Sequence, residues 1–203
     1  MKVDKLIIDK VKNHGYWRSV PGWSGFRMFD DFLEQVERVD SNSYFVEVGA
    51  WKGQTAALMA SLIHLSGKNI YFDVIDTWEG SDEQAHNQDD DIQQGTLYET
   101  FIKNIEPLQD YIHPVKLDSI EASKNYNDGT IDFIFLDASH KTEDVIKDIE
   151  AWTPKLKIGG VLIGDDYDWS SVRDAVLNSS VKDSFVEKTN VTGSFWKYVK
   201  HEL

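Results

Sequence analysis

Carboxylates recur in this 203-residue chain at the points where apolar runs stop. Glu47 follows Tyr44-Phe45-Val46, Asp76 closes the run Ile70 to Ile75, and Asp118 follows Tyr111 to Leu117. Asp137 ends the run Ile131 to Leu136, and Asp165-Asp166 follow Val161-Leu162-Ile163-Gly164. If these runs are strands of a mostly parallel sheet, the acids share its carboxyl edge, where open α/β sheets bind their ligands. An acid after the second strand is the usual acceptor for ribose hydroxyls, which makes Asp76 the candidate for an adenosine-type ligand. His140, three residues beyond Asp137, has a side chain that can take a hydroxyl proton near neutrality. The same imidazole could instead cap the following helix, and Lys141 is a weaker alternative base.

The elements that must position these groups are legible in outline. Tyr44 to Val48 reads as a strand, Gly49-Ala50-Trp51-Lys52-Gly53 as a tight turn, and Gln54 to Leu65 as a helix stopping near Gly67. The turn lacks the G-x-G-x-x-G spacing of a dinucleotide site, and no P-loop is present. Trp51 stands where backbone would meet pyrophosphate, so a ligand with ribose and adenine but no phosphate fits better. Leu97 to Ile105, Ile120 to Tyr126, the stretch with Val145, Ile149 and Trp152, and Trp169 to Leu177 read as helices between the later strands. Ser184 to Lys188 and Ser194 to Val199 read as a closing antiparallel hairpin. The alternation predicts a Rossmann-like three-layer α/β sandwich, with a mostly parallel seven-stranded sheet and helices on both faces.

Two segments stand outside this pattern. Residues 1–40 hold a short amphipathic stretch, an aromatic loop with Tyr16, Trp17 and Trp23, and a helix with Phe29, Phe32, Leu33 and Val36 on one face. The loop is either a flap over a pocket or an arm packing its rings on the core. Ser81 to Gln94, with Asp82, Glu83, His86 and Asp89-Asp90-Asp91, is either a lid or a solvated acidic loop.

The whole chain, 1–203, reads as one domain, an arm over 1–40 followed by the core over 41–203. The net charge of −14 argues against nucleic acid and anionic membranes as partners. Without cysteine there is no thiolate metal site or thiol nucleophile. No apolar run reaches membrane-spanning length and the N-terminus lacks a signal-peptide pattern, so a cytoplasmic protein is expected. The pattern leaves the oligomeric state open.

Glu47-Val48-Gly49-Ala50-Trp51-Lys52-Gly53 resembles the E/D-x-G-x-G-x-G motif of class I S-adenosylmethionine-dependent methyltransferases, with Trp51 in place of the middle glycine. Asp76-Thr77-Trp78-Glu79-Gly80, Asp137-Ala138-Ser139-His140 and Gly159-Gly160 through Asp165-Asp166-Tyr167 are similar to segments of the macrocin-type sugar O-methyltransferases. The resemblance covers about Tyr44 to Tyr167. It implies that Gly49 and Gly53, with Ala50 and Trp51 between them, approach the methionine part of S-adenosyl-L-methionine, and that Glu47 sits under the turn near its amino group. Asp76, beside Thr77 and Trp78, would hold the ribose; Asp118 and Ser119 would hold the adenine; Asp137 would also border the cofactor. Asp137, Asp165 and Asp166 would hold Mg²⁺ or another divalent cation such as Ca²⁺, and three carboxylates do make a hard oxygen site of that kind. The cation would bind a substrate hydroxyl and lower its pKa, with His140 and Asp137 as catalytic residues. The expected reaction is O-methylation of a hydroxyl on a sugar or small polar metabolite. A metal-independent methyltransferase and a catalytically silent adenosine-binding module are the alternatives.

Overall fold

The computed structural model describes residues 4–23, 25–81, 88–190 and 193–202. Strand β1 (Ser43–Val48) is central, and Phe45, Val46, Glu47 and Val48 are all buried because helices cover both faces of the sheet. It pairs in parallel with β2 (Ile70–Asp76) on one side and β4 (Ile131–Leu136) on the other. With β3 (His113–Lys116), β5 (Leu156–Gly164), β6 (Phe185–Asn190) and β7 (Gly193–Val199), the order is β3-β2-β1-β4-β5-β7-β6. β7 runs antiparallel to both β5 and β6. The order reverses direction at β1 and β4, so a crevice opens beyond their carboxyl ends.

Alternation along the strands divides the core. Phe45, Phe133 and Phe135 face a layer containing α2 (Gly25–Arg38), α3 (Gln54–Ser66) and α5 (Leu97–Ile105). Val46, Val48, Ile134 and Leu162 face α6 (Ser119–Ser123), α7 (Thr142–Trp152) and α8 (Ser170–Leu177). The remaining helices are α1 (Lys5–His14) and the short α4 (Asp90–Gln94). Among the described residues, no helix is long and apolar enough to cross a membrane.

Three departures from the sequence reading have local causes. Tyr111 belongs to a 3₁₀ turn, Glu106–Tyr111, rather than to β3, which is a short edge strand able to accommodate Pro114. β5 begins earlier than expected because the chain runs through Gly159, at φ +77°, with a register shift against β4. The aromatic loop splits: Trp17 is buried and donates its indole N–H to the Val11 carbonyl at 2.9 Å, whereas Trp23 is 68% exposed.

The acidic segment is likewise divided. Asp82, Glu83 and His86 lie outside the described residues. Asp89 caps α4, and Asp89 and Asp91 each bind Lys52 Nζ at 2.7 Å, so this part of the segment is fastened to the glycine turn.

Candidate active site

The crevice is a cleft of about 730 Å³. At the β1 exit, Gly49 has φ +89°, and a Cβ there would lie 2.0 Å from the Asp137 carbonyl oxygen. Only glycine lets β1 and β4 diverge so closely. Asp76 then locks the turn: Oδ2 accepts the Ala50 and Trp51 N–H groups at 2.8 and 2.9 Å, and Oδ1 accepts the Trp78 N–H at 2.8 Å. The Trp78 indole N–H adds a bond to the Trp51 carbonyl. Trp51 and Trp78 have φ +44° and +52°, conformations that side chains other than glycine adopt only when such contacts hold them.

Gly49, Ala50, Trp51, Asp76 and Thr77 line the cleft. Gly53 packs beneath Phe101, the Trp78 ring packs at a tilt against Tyr98 and Phe101, and neither is on the cleft wall. Glu47 is 1% exposed beneath the turn, accepts from Thr55 Oγ1 at 2.5 Å, and has no partner for Oε2. Burial pushes its carboxyl up to about 8, Thr55 pulls the other way, and Asp76 adds to the rise.

A raised folded-state pKa means that the native protein holds this proton more tightly than the unfolded chain does. The stability it contributes is therefore lost as pH rises from about 4.5, the ordinary value, through about 8. Glu47→Gln should gain on the wild type across that window, by up to about 1.4 kcal/mol per pH unit. Thermal melts of both proteins from pH 4.5 to 8.5 would show it, and parallel curves would rule it out.

On the β3 side of the cleft Asp118 caps α6, its Oδ1 accepting from the Ile120 and Glu121 N–H groups. Ser119 Oγ donates to Asp148 Oδ1 at 2.5 Å and accepts from the Trp152 indole. Asp148 is a wall residue that the sequence reading missed; it lies one helical turn from Asp144, also on the wall, and burial pushes its carboxyl up to about 6 despite the Ser119 bond. The spacing of the two acids along α7 was the available signal.

The acids that follow β4 and β5 gather around His140. His140 Nε2 lies 2.8 Å from Asp166 Oδ2 and 3.9 Å from Asp137 Oδ1, and its ring packs on Trp169 at 4.6 Å between centroids. Burial, then Asp165 and Asp166, hold the Asp137 carboxyl well above the usual carboxylate range, against the opposing effect of His140. Arg27, from α2, places Nη2 2.5 Å from Asp165 Oδ2 and 3.6 Å from Asp166 Oδ1, and Asp165 Oδ1 accepts the Asp166 N–H.

Donor atoms of Asp137, His140 and Asp166 lie within 4.8 Å of one another. Asp165, the third carboxylate of the expected cation site, has Oδ2 on Arg27 and Oδ1 on the Asp166 N–H, and its side chain has no exposure. Arg27 carries no motif; it was legible only as a polar position on an amphipathic helix. Over the cleft mouth Trp23 stacks on Trp51 at 4.2 Å and 20°, so the N-terminal arm supplies part of the wall.

A family model described as a methyltransferase domain matches residues 46–167. Among solved structures, the O-methyltransferase NovP is similar over 87% of this chain and 81% of its own, with 16% identity and a TM-score of 0.68. An O-methyltransferase from Bacillus cereus in complex with SAH is similar over 97% and 92%, with 16% identity and a TM-score of 0.57. A methyltransferase from Geobacter sulfurreducens is similar over 100% and 92%, with 13% identity and a TM-score of 0.58. At such identities the likeness establishes a shared fold. No curated protein sequence gives a significant match.

Proposed function

The chain belongs to the methyltransferase domain family, and from that premise we propose that it transfers a methyl group from S-adenosylmethionine to a hydroxyl of a small molecule held in the cleft beyond β1 and β4. The observation that carries this reading is the juxtaposition of a turn locked by Asp76 with the His140–Asp166 pair in one cleft. The NovP-like and Bacillus cereus folds, both from O-methyltransferases, support oxygen as the acceptor atom.

Bound S-adenosylmethionine would supply an electrophilic methyl on a sulfonium. The residues around it have separate tasks. Gly49 and Ala50 let backbone approach the methionine part, and Asp76 keeps acceptor capacity on Oδ1 for a ribose hydroxyl. Asp118, Ser119 and Asp148 form the polar end suited to adenine. His140 would take the acceptor's hydroxyl proton as that oxygen displaces the sulfonium sulfur, which would leave with the carbon–sulfur electron pair as a neutral thioether, and Asp166 orients the imidazole and stabilises its protonated form. Trp23, Trp51 and Trp169 give flat apolar walls that suit a polyhydroxylated ring such as a sugar.

A divalent cation here would have Asp137, Asp166 and His140 as its donors, and a His140 so engaged could not also take the acceptor's proton. In this reading the chain acts as one catalytic domain, with the arm over 1–40 contributing to the acceptor wall.

Calorimetric titration with S-adenosylmethionine tests the reading first. One site per chain with a Kd of roughly 1 μM to 1 mM is expected. A panel of sugars and other hydroxylated small molecules, assayed for S-adenosylhomocysteine release, then tests the acceptor class. The absence of binding at millimolar concentration would sink the proposal.

A further inference from the structure

We propose that Arg27 is the resident cation of the strand-end acids, so that the site functions without a bound divalent ion. The side chain crosses from α2 to the end of β5, a separation of 138 residues in sequence, and is 9% exposed against an Asp165 side chain with no exposure. A carboxylate so enclosed must be paired to remain ionised, and a guanidinium is the weakly hydrated, permanently charged partner suited to that place.

The pairing has two effects on a prospective metal. Affinity for a hard divalent cation rises with the number of available carboxylates, and Arg27 removes Asp165 from that number. It also places a positive charge 3.6 Å from Asp166, whose carboxylate would have to serve as a ligand, and so opposes a second cation there. The remaining donors include the His140 imidazole, which is already hydrogen-bonded to Asp166. Arg27 is thus a positioning residue: it holds Asp165 and Asp166, and through Asp166 it holds His140.

The consequence for turnover rests on the methyl-transfer reading, whereas cation binding is measured without any substrate. Mn²⁺ titration followed by electron paramagnetic resonance should show no wild-type site tighter than roughly 1 mM. Arg27→Gln, which frees Asp165, should bind Mn²⁺ at least about tenfold more tightly, and Arg27→Lys, which keeps the charge, should stay with the wild type. A wild-type Mn²⁺ site in the micromolar range would overturn the proposal, even if Arg27→Gln failed to fold. Equal Mn²⁺ affinity in wild type and a folded Arg27→Gln would also overturn it. Failure to bind S-adenosylmethionine would instead count against the methyl-transfer reading and leave the Mn²⁺ result standing.

Discussion

Replacing His140 with alanine should lower kcat by about 10²- to 10⁴-fold, the range of a lost general base, while leaving the Kd for S-adenosylmethionine within about twofold. The split between the two quantities is the informative part. His140 follows β4, with Asp166 on one side and the Trp169 ring against its face, whereas Asp118 and Ser119 follow β3 at the edge of the sheet. Its loss should therefore spare cofactor affinity. Steady-state kinetics on an acceptor from the panel, with calorimetry on the same preparation, would check both halves. Undiminished turnover in the variant would remove His140 from the chemistry. Lys141 would be a poor substitute, since it is exposed and not among the residues lining the cleft.

Asp76→Ala should reduce affinity for S-adenosylmethionine by more than about 100-fold and lower Tm as well. Three backbone N–H groups converge on this carboxylate, and hydrogen bonds to a charged group contribute about 1.5–3 kcal/mol each. Their removal also releases the unusual backbone at Trp51 and Trp78, which costs about 1 kcal/mol or more per residue to hold. Asp76→Asn should fall between wild type and alanine, because its single carbonyl oxygen can serve only one side of the junction. Calorimetry and thermal melts on the three proteins would show the order, and full affinity in Asp76→Ala would disprove Asp76's role as the clamp of the cofactor turn.

The parts of the fold legible in the sequence are those fixed by local pattern. β1, β2 and β4 are apolar runs, and Gly49 and Gly67 mark a turn and a helix end where the backbone does take positive φ. The parts that were not legible depend on partners distant in sequence. Trp17 and Trp23 look alike within one loop, yet only Trp17 lies over the core, and Trp23 instead meets Trp51. Glu47 was grouped with the strand-end acids, but it is one residue short of the end of β1 and on the face packed by α3, so it points to Thr55. Asp165 and Asp166 are adjacent in sequence, and what separates their roles is an arginine from the other end of the chain.

The sheet order also sets a timetable. β1 and β2 can pair once the chain has been made through Asp76, and β3 completes that half at Lys116. The acid-bearing β5 meets β4 on one edge, but its other edge is closed by β7, whose residues 193–199 are synthesised some thirty positions after Asp166. Trp196 of β7 lies against Gly164, directly before the acid pair. During synthesis the turn around Gly49 can therefore form well before the end of β5 is fixed in place. A nascent chain would pass through a stage in which half of the cleft is shaped and the half with His140 and Asp166 is not.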